Sequence, residues 1–149
     1  MQTNVIDIIL FMVRMLRLGH TLTDINQEKQ LHLYSQAEVS AAYSWILQKM
    51  KDGADRFSTK KTPESMRVLH QAERMMITKE AQGFLMDLYG NGVLNYEQLE
   101  QIIEVSMMGT FEKTDLEKIK KLVSQLLFGD DTIRKSATVV YLSGNESVN

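Results

Sequence analysis

The sequence predicts a mainly α protein, a compact multi-helix bundle in which any sheet is confined to a small two-stranded β-ribbon in the middle of the chain. Three observations carry this. The 149 residues hold one proline, eight glycines and ten methionines, a composition poor in helix breakers. Apolar residues recur at i, i+3, i+4 and i+7 in stretch after stretch. Several of those stretches open with a side-chain oxygen followed three residues on by glutamate or glutamine, the mark of a capping box. On this reading helix takes about 60% of the residues, against a base rate near one third.

The first helix is expected from Val5 to Leu18. At 100° per residue Asp7, Arg14 and Arg17 fall on one narrow polar stripe and the rest is apolar, the pattern of a buried central helix. It does not read as a signal peptide: no basic residues precede it, and no small-residue cleavage site follows. It also falls short of the roughly 20 apolar residues that cross a bilayer. Gly19 closes it as a C′ glycine. A short second helix is expected from Asn26 to about Tyr34. Ser35-Gln36-Ala37-Glu38 forms a capping box for a third, whose stripe is Val39, Ala42, Tyr43, Ile46, Leu47 and Met50, with Trp45 beside it.

From Lys51 to Glu64 the periodicity breaks, and Phe57 is the single bulky anchor in a polar, charged stretch. This is the best linker in the chain. Met66 to Leu69 reads as a short extended piece, with Asp55-Arg56-Phe57 as its nearest ribbon partner and Met66 and Val68 on the core side. Helices follow at Ala72–Met76 and Lys79–Tyr89, the latter stopped by Asn91-Gly92. Asn95 with Gln98 caps another, on which Leu94 staples to Leu99, and Gly109 ends it. Thr114 with Glu117 reads as the capping box of the last helix, from Leu116 to Gly129. The chain therefore divides into an N-terminal helical part (1–50), a basic linker with a short strand (51–70), a C-terminal helical bundle part (71–129) and a tail (130–149). One compact domain is expected, with the tail partly disordered.

No reaction chemistry is legible. Cysteine is absent, so thiolate nucleophiles, thiolate metal sites and disulfides are excluded. His20, His32 and His70 have no helical spacing that would converge two imidazoles on one metal. Asp87 to Gln98 has the outline of a calcium loop, but Tyr89 and Gln98 occupy positions that need oxygen ligands, the latter the bidentate carboxylate. A helix–turn–helix with a glycine stop explains the same letters. No catalytic residue, cofactor or metal is expected, and the protein reads as no enzyme.

Charge is uneven. The net charge is −2, yet Lys49 to Arg74 holds seven basic residues against four acidic ones, and Met75 to Glu117 two against eight. Arg56, Lys60, Lys61 and Arg67 are the expected partner contacts, because a basic stretch on an acidic protein steers an acidic protein or a phosphate backbone. Met75-Met76 and Met107-Met108 could line an adaptable peptide surface.

The stretch from Pro63 onward resembles the bacterial Smg family. Matching residues are Pro63 with Ser65-Met66-Arg67-Val68, Gly83-Phe84-Leu85 with Leu88, Val93-Leu94-Asn95, Ile103-Glu104, and the Leu116 to Phe128 helix with Lys120. Trp45 and Leu47 also sit as the family's residues do. Leu99 departs from the pattern, where an arginine is expected, and so does Lys121, where an aromatic is common. The resemblance implies a cytoplasmic, mainly helical, non-enzymatic bacterial protein whose gene neighbours point to DNA processing and formyl-methionine handling.

The expected function is a helical protein-interaction module, a regulator or assembly factor linked to DNA or translation maintenance. It has a protein partner and no membrane. The alternative is a nucleic-acid-binding helix–turn–helix built on the second and third helices. Against it, the helix from Gln36 to Met50 offers mainly Ala, Ser, Tyr and Gln rather than the cationic set that reads base edges.

Overall fold

The computed structural model describes residues 2–26, 28–52, 57, 67–108 and 112–129. The elements in chain order are α1 (Gln2–Arg17), α2 (Leu22–Asn26), a 3-10 turn (Lys29–Leu33), α3 (Gln36–Asp52), α4 (Gln71–Met76), α5 (Lys79–Gly90), α6 (Tyr96–Met107) and α7 (Leu116–Phe128). Helix covers 77% of the described residues, and no strand occurs among them.

α1 is the central helix. Val5, Ile6, Ile8, Ile9, Leu10, Met12 and Val13 are all buried, beneath α3 and α7, with α2 at its side. Its narrow polar stripe meets α5 and α7. Asp7 Oδ2 accepts from Lys120 Nζ of α7 at 3.1 Å. Arg14 Nη2 donates to Asp87 Oδ2 of α5 at 2.6 Å. Arg17 Nη1 donates to the Gly90 carbonyl at the end of α5 at 3.0 Å, where a cation also meets the negative end of the helix dipole. A stripe that looks solvated in projection thus makes cross-helix contacts. α1 ends in a Schellman motif: Gly19 has φ +100°, its N–H bonds the Leu16 carbonyl, and the His20 N–H bonds that of Met15.

The single helix expected from Asn26 to Tyr34 is not formed. Thr21 and Asp24 cap α2 reciprocally, which starts that helix four residues before the expected Asn26, and the Lys29–Leu33 stretch forms only a 3-10 turn. Ile25 and Leu31 are the buried anchors of the two pieces. The Ser35 box is present, with the Glu38 N–H on Ser35 Oγ and the Ser35 N–H on Glu38 Oε1. Glu38 Oε2 also takes a bond from Asn4 Nδ2 of α1. Those N–H donors, the Ser35 backbone first, hold the Glu38 carboxyl below its usual range. On α3 the buried residues are Ala42, Trp45 and Ile46, while Leu47 is exposed.

α5 and α7 run in the same direction. Their starts are joined by a parallel bridge between Ile77 and Thr114, and seven residues beyond Ile77 and six beyond Thr114, Lys120 Nζ lies over the Phe84 ring at 5.5 Å. The bridge corrects the expected cap of α7. Thr114 is buried, its N–H on the Met76 carbonyl and its carbonyl on the Thr78 N–H. The cap moves one residue on, to Asp115, whose Oδ1 accepts from Lys118 N, and Glu117 lies exposed. α6 starts as its sequence indicates, with Asn95 and Gln98 capping reciprocally and Leu94 and Leu99 both buried. Gly129, at φ +65°, closes α7.

The expected β-ribbon is not present among the described residues. Arg67 to His70 has no regular structure, and Met66, Asp55 and Arg56 lie outside the described residues. The expected stop at Gly109 and the tail from Asp130 lie outside them too. One hydrophobic core runs from Val5 to Leu127 and includes Phe57 and Leu69. Leu99, which departs from the family pattern, is fully buried in it, and Lys121 is exposed on α7.

Candidate functional site

The basic stretch begins on the last turns of α3. Lys49 Nζ lies 5.7 Å from the Trp45 ring centroid, within the range of a cation–π contact. Trp45 also meets Phe57, with ring centroids 6.1 Å apart and planes tilted by 34°. Phe57 is 1% exposed. The one bulky residue of the linker is therefore a core residue, and it fixes the stretch to α3. Arg56, Lys60 and Lys61 lie outside the described residues.

Arg67 is the far end of the stretch, and its five N–H groups are all taken. Nη1 and Nη2 form a bidentate pair with Glu73 of α4, both at 2.9 Å. Nε donates to Glu100 Oε2 of α6 at 2.5 Å and Nη2 to Glu100 Oε1 at 3.3 Å. Nη1 also reaches the Val68 carbonyl at 2.7 Å. The Arg67 and Glu73 side chains are 11% and 14% exposed, and that of Glu100 35%. A planar guanidinium suits this double fork in a way an ammonium does not. The Arg67 bonds hold the Glu73 carboxyl below its usual range against the opposing effect of burial, and Arg67 is pushed further up by Glu73 and then Glu100. Glu73 Oε1 also accepts the His70 N–H that opens α4.

The expected facing of this segment is reversed. Alternation puts Val68 on the core side, yet it is 71% exposed, whereas Arg67 turns inward and Leu69 is buried. Two carboxylates on α4 and α6 reward burying the guanidinium more than the core rewards one valine. The alternative open from the sequence, that Arg67 pairs with an acidic helix instead of a partner, describes this arrangement, but the sequence does not name Glu73 or Glu100. The spacing of His70 and Glu73 hinted at the first, and nothing local hints at the second, 33 residues away.

The remaining sequence candidates stand apart from this junction. His20, His32 and His70 are exposed. Asp87 belongs to α5 and pairs with Arg14. Among the described residues no group of three His, Cys, Asp or Glu side chains is placed to hold a metal. No helix among them is long and apolar enough to cross a membrane. The outer face of α3 presents Ser40, Ser44, Leu47, Gln48 and Lys51.

Over the matched stretches, curated relatives are 30 to 32% identical to this chain. A Protein Smg homolog of Xylella fastidiosa (strain M23) is 32% identical over 95 residues, 64% of this chain and 60% of its own. Protein Smg of Pectobacterium atrosepticum is 32% identical over 112 residues, 72% of this chain and 69% of its own. Protein Smg of Sodalis glossinidius is 30% identical over 98 residues, 64% and 62%. The matched stretch thus spans between three fifths and seven tenths of these relatives. No solved structure matches. The family described as "Protein of unknown function (DUF494)" matches residues 5–143, nearly the whole chain and the entire helical core, so the protein belongs to this family, that of the bacterial Smg proteins.

Proposed function

We propose that the protein is a non-enzymatic helical interaction module of the bacterial cytoplasm, a regulator or assembly factor serving DNA or translation maintenance. It recognises an acidic partner protein through its basic stretch. The observation that supports this most is the concentration of positive charge from Lys49 to Arg74 on a chain of net charge −2, with two anchors inside it, Phe57 and Arg67. Anchoring on either side of Lys60 and Lys61 lowers the conformational entropy lost when a partner docks. Arg56, Lys60 and Lys61 are the contacts. Arg67, the fourth cation of the set, has its N–H groups engaged within the chain and serves by holding the stretch in place.

Exchange of Lys60 and Lys61 for glutamate tests the proposal. The melting temperature of the double variant is expected to stay close to that of the parent. Capture of partner from native lysate falls several-fold, with a larger difference at low salt. Nuclease treatment leaves capture intact if the partner is protein and abolishes it if the ligand is nucleic acid. Unchanged capture by the folded double variant removes the stretch as the contact.

A further inference from the structure

Three helices finish at one end of the molecule. Arg14 of α1 reaches Asp87 of α5, each three residues before its helix ends. Arg17, the last residue of α1, reaches the carbonyl of Gly90, the last of α5. The two helices therefore run in one direction and stop together. α5 and α7 start level at the Ile77–Thr114 bridge and have 12 and 13 residues, so α7 stops there too. α1 and α7 are in contact, which sets their axes about 10 Å apart.

Leu18 follows directly on α1 at this end and is 74% exposed. Met15 and Leu22, on either side of it in the chain, are only half-buried, and so is Phe128, the last residue of α7. Leu33, also exposed, belongs to the opposite end, where Asn4 of α1 meets Glu38 at the start of α3.

α7 closes at Gly129, with φ +65°, yet the family match continues to residue 143. Residues 130–143 thus belong to the shared sequence although the helices are complete without them. They open with a mostly polar spacer of nine residues, Asp130 to Thr138, and then carry the apolar run Val139-Val140-Tyr141-Leu142. The match stops one residue after that run. Nine residues reach as far as about 30 Å, ample for the step from α7 to the end of α1.

We propose that the Val139–Leu142 segment folds back over the end of the bundle where α1, α5 and α7 stop and packs on Leu18. A left-handed residue at C′ turns the chain off the helix axis, so Gly129 begins the reversal. The contact takes Leu18 and the apolar run out of water together. It is a strap within one chain and does not rest on the function proposed above.

Amide hydrogen exchange on the full chain tests it. Corrected for intrinsic rates, the amides of residues 139–142 exchange at least tenfold more slowly than those of residues 145–149. Leu18→Asp removes that protection and leaves that of the helices unchanged, whereas Leu33→Asp leaves it intact. Both leucines are exposed, so both variants keep their helical content by circular dichroism. The chain has no cysteine, so a disulfide reports only an engineered pair, and a bridge needs Cα atoms within about 7 Å. L18C/Y141C closes within one chain several-fold faster than L18C/N145C. Fast exchange at residues 139–142, protection indifferent to Leu18→Asp or lost equally in Leu33→Asp, or equal closure of the two cysteine pairs overturns the proposal. A disulfide that joins two chains overturns it as well and makes a second copy the occupant.

Discussion

Lys120 Nζ of α7 lies 3.1 Å from Asp7 Oδ2 of α1, joining the first and last helices across 113 positions of sequence. The same ammonium sits over the Phe84 ring of α5, so one side chain ties three helices. The Lys120 and Asp7 side chains are largely shielded from solvent. Removing one partner strands the other in a poorly hydrated site, which costs more than a surface pair is worth. Lys120→Ala should lower stability by about 2 kcal/mol and Asp7→Asn by about 1 kcal/mol, read from urea midpoints. The double variant should cost less than the sum of the two, because each loses the same contact.

The Arg67 junction should give stability an acid-sensitive component. Glu73 has its folded pKa held below the unfolded value by Arg67. Its contribution is therefore complete above the unfolded carboxylate value near 4.3, and it is lost as pH falls through the lower folded value. Arg67→Met should cost about 3 kcal/mol at neutral pH, where two carboxylates are left without their cation. The difference from the parent should shrink as pH is lowered from about 5 and Glu73 protonates. A constant difference across that window would show that the ion pairs do not govern the effect. Arg67→Lys should rescue only part of the loss, since an ammonium cannot reproduce both forks.

The capping of α7 separates a local from a tertiary reading. Asp115 Oδ1 holds the Lys118 N–H, so Asp115→Ala should cost about 1 kcal/mol. Glu117→Ala should cost only a few tenths of a kcal/mol, a helix-dipole effect. The reverse order, in chemical denaturation, would restore Thr114 and Glu117 as the capping pair.

Trp45 is the only tryptophan, and Phe57 packs against it. Phe57→Ala should cost about 3 to 5 kcal/mol, as for other fully buried aromatics. It should also shift the tryptophan emission to the red by opening one side of the indole to water. An unshifted spectrum in a folded variant would place the Phe57 contact elsewhere.

The helices themselves were legible in the residues because their signals are local. The Ser35–Glu38 and Asn95–Gln98 boxes, the Gly19 and Gly129 stops, and the apolar faces of α5, α6 and α7 each need only a few neighbouring residues. So does the narrow stripe of α1, whose scarcity of polar residues already places that helix at the centre. The candidate site was legible only in its charge: the basic stretch is a property of composition, while its anchors are contacts.

Tertiary structure decided every point at which a local signal had a distant competitor. Thr114 has the spacing of a cap, but its backbone pairs with Met76 and Thr78, and the cap passes to Asp115. Leu47 continues the apolar stripe of α3, but Phe57 arrives on the Trp45 side, and burial follows it. Val68 and Arg67 alternate as a strand would, but Glu73 and Glu100 stand where the arginine can make five hydrogen bonds, and the guanidinium goes inside. Sequence alone determined which segments are helices and where most of them start and stop, because those hydrogen bonds close within a few residues. Which face each helix buries at its margins, and which charges are consumed, depends on groups 6 to more than 100 positions away, and only the packed chain brings those together.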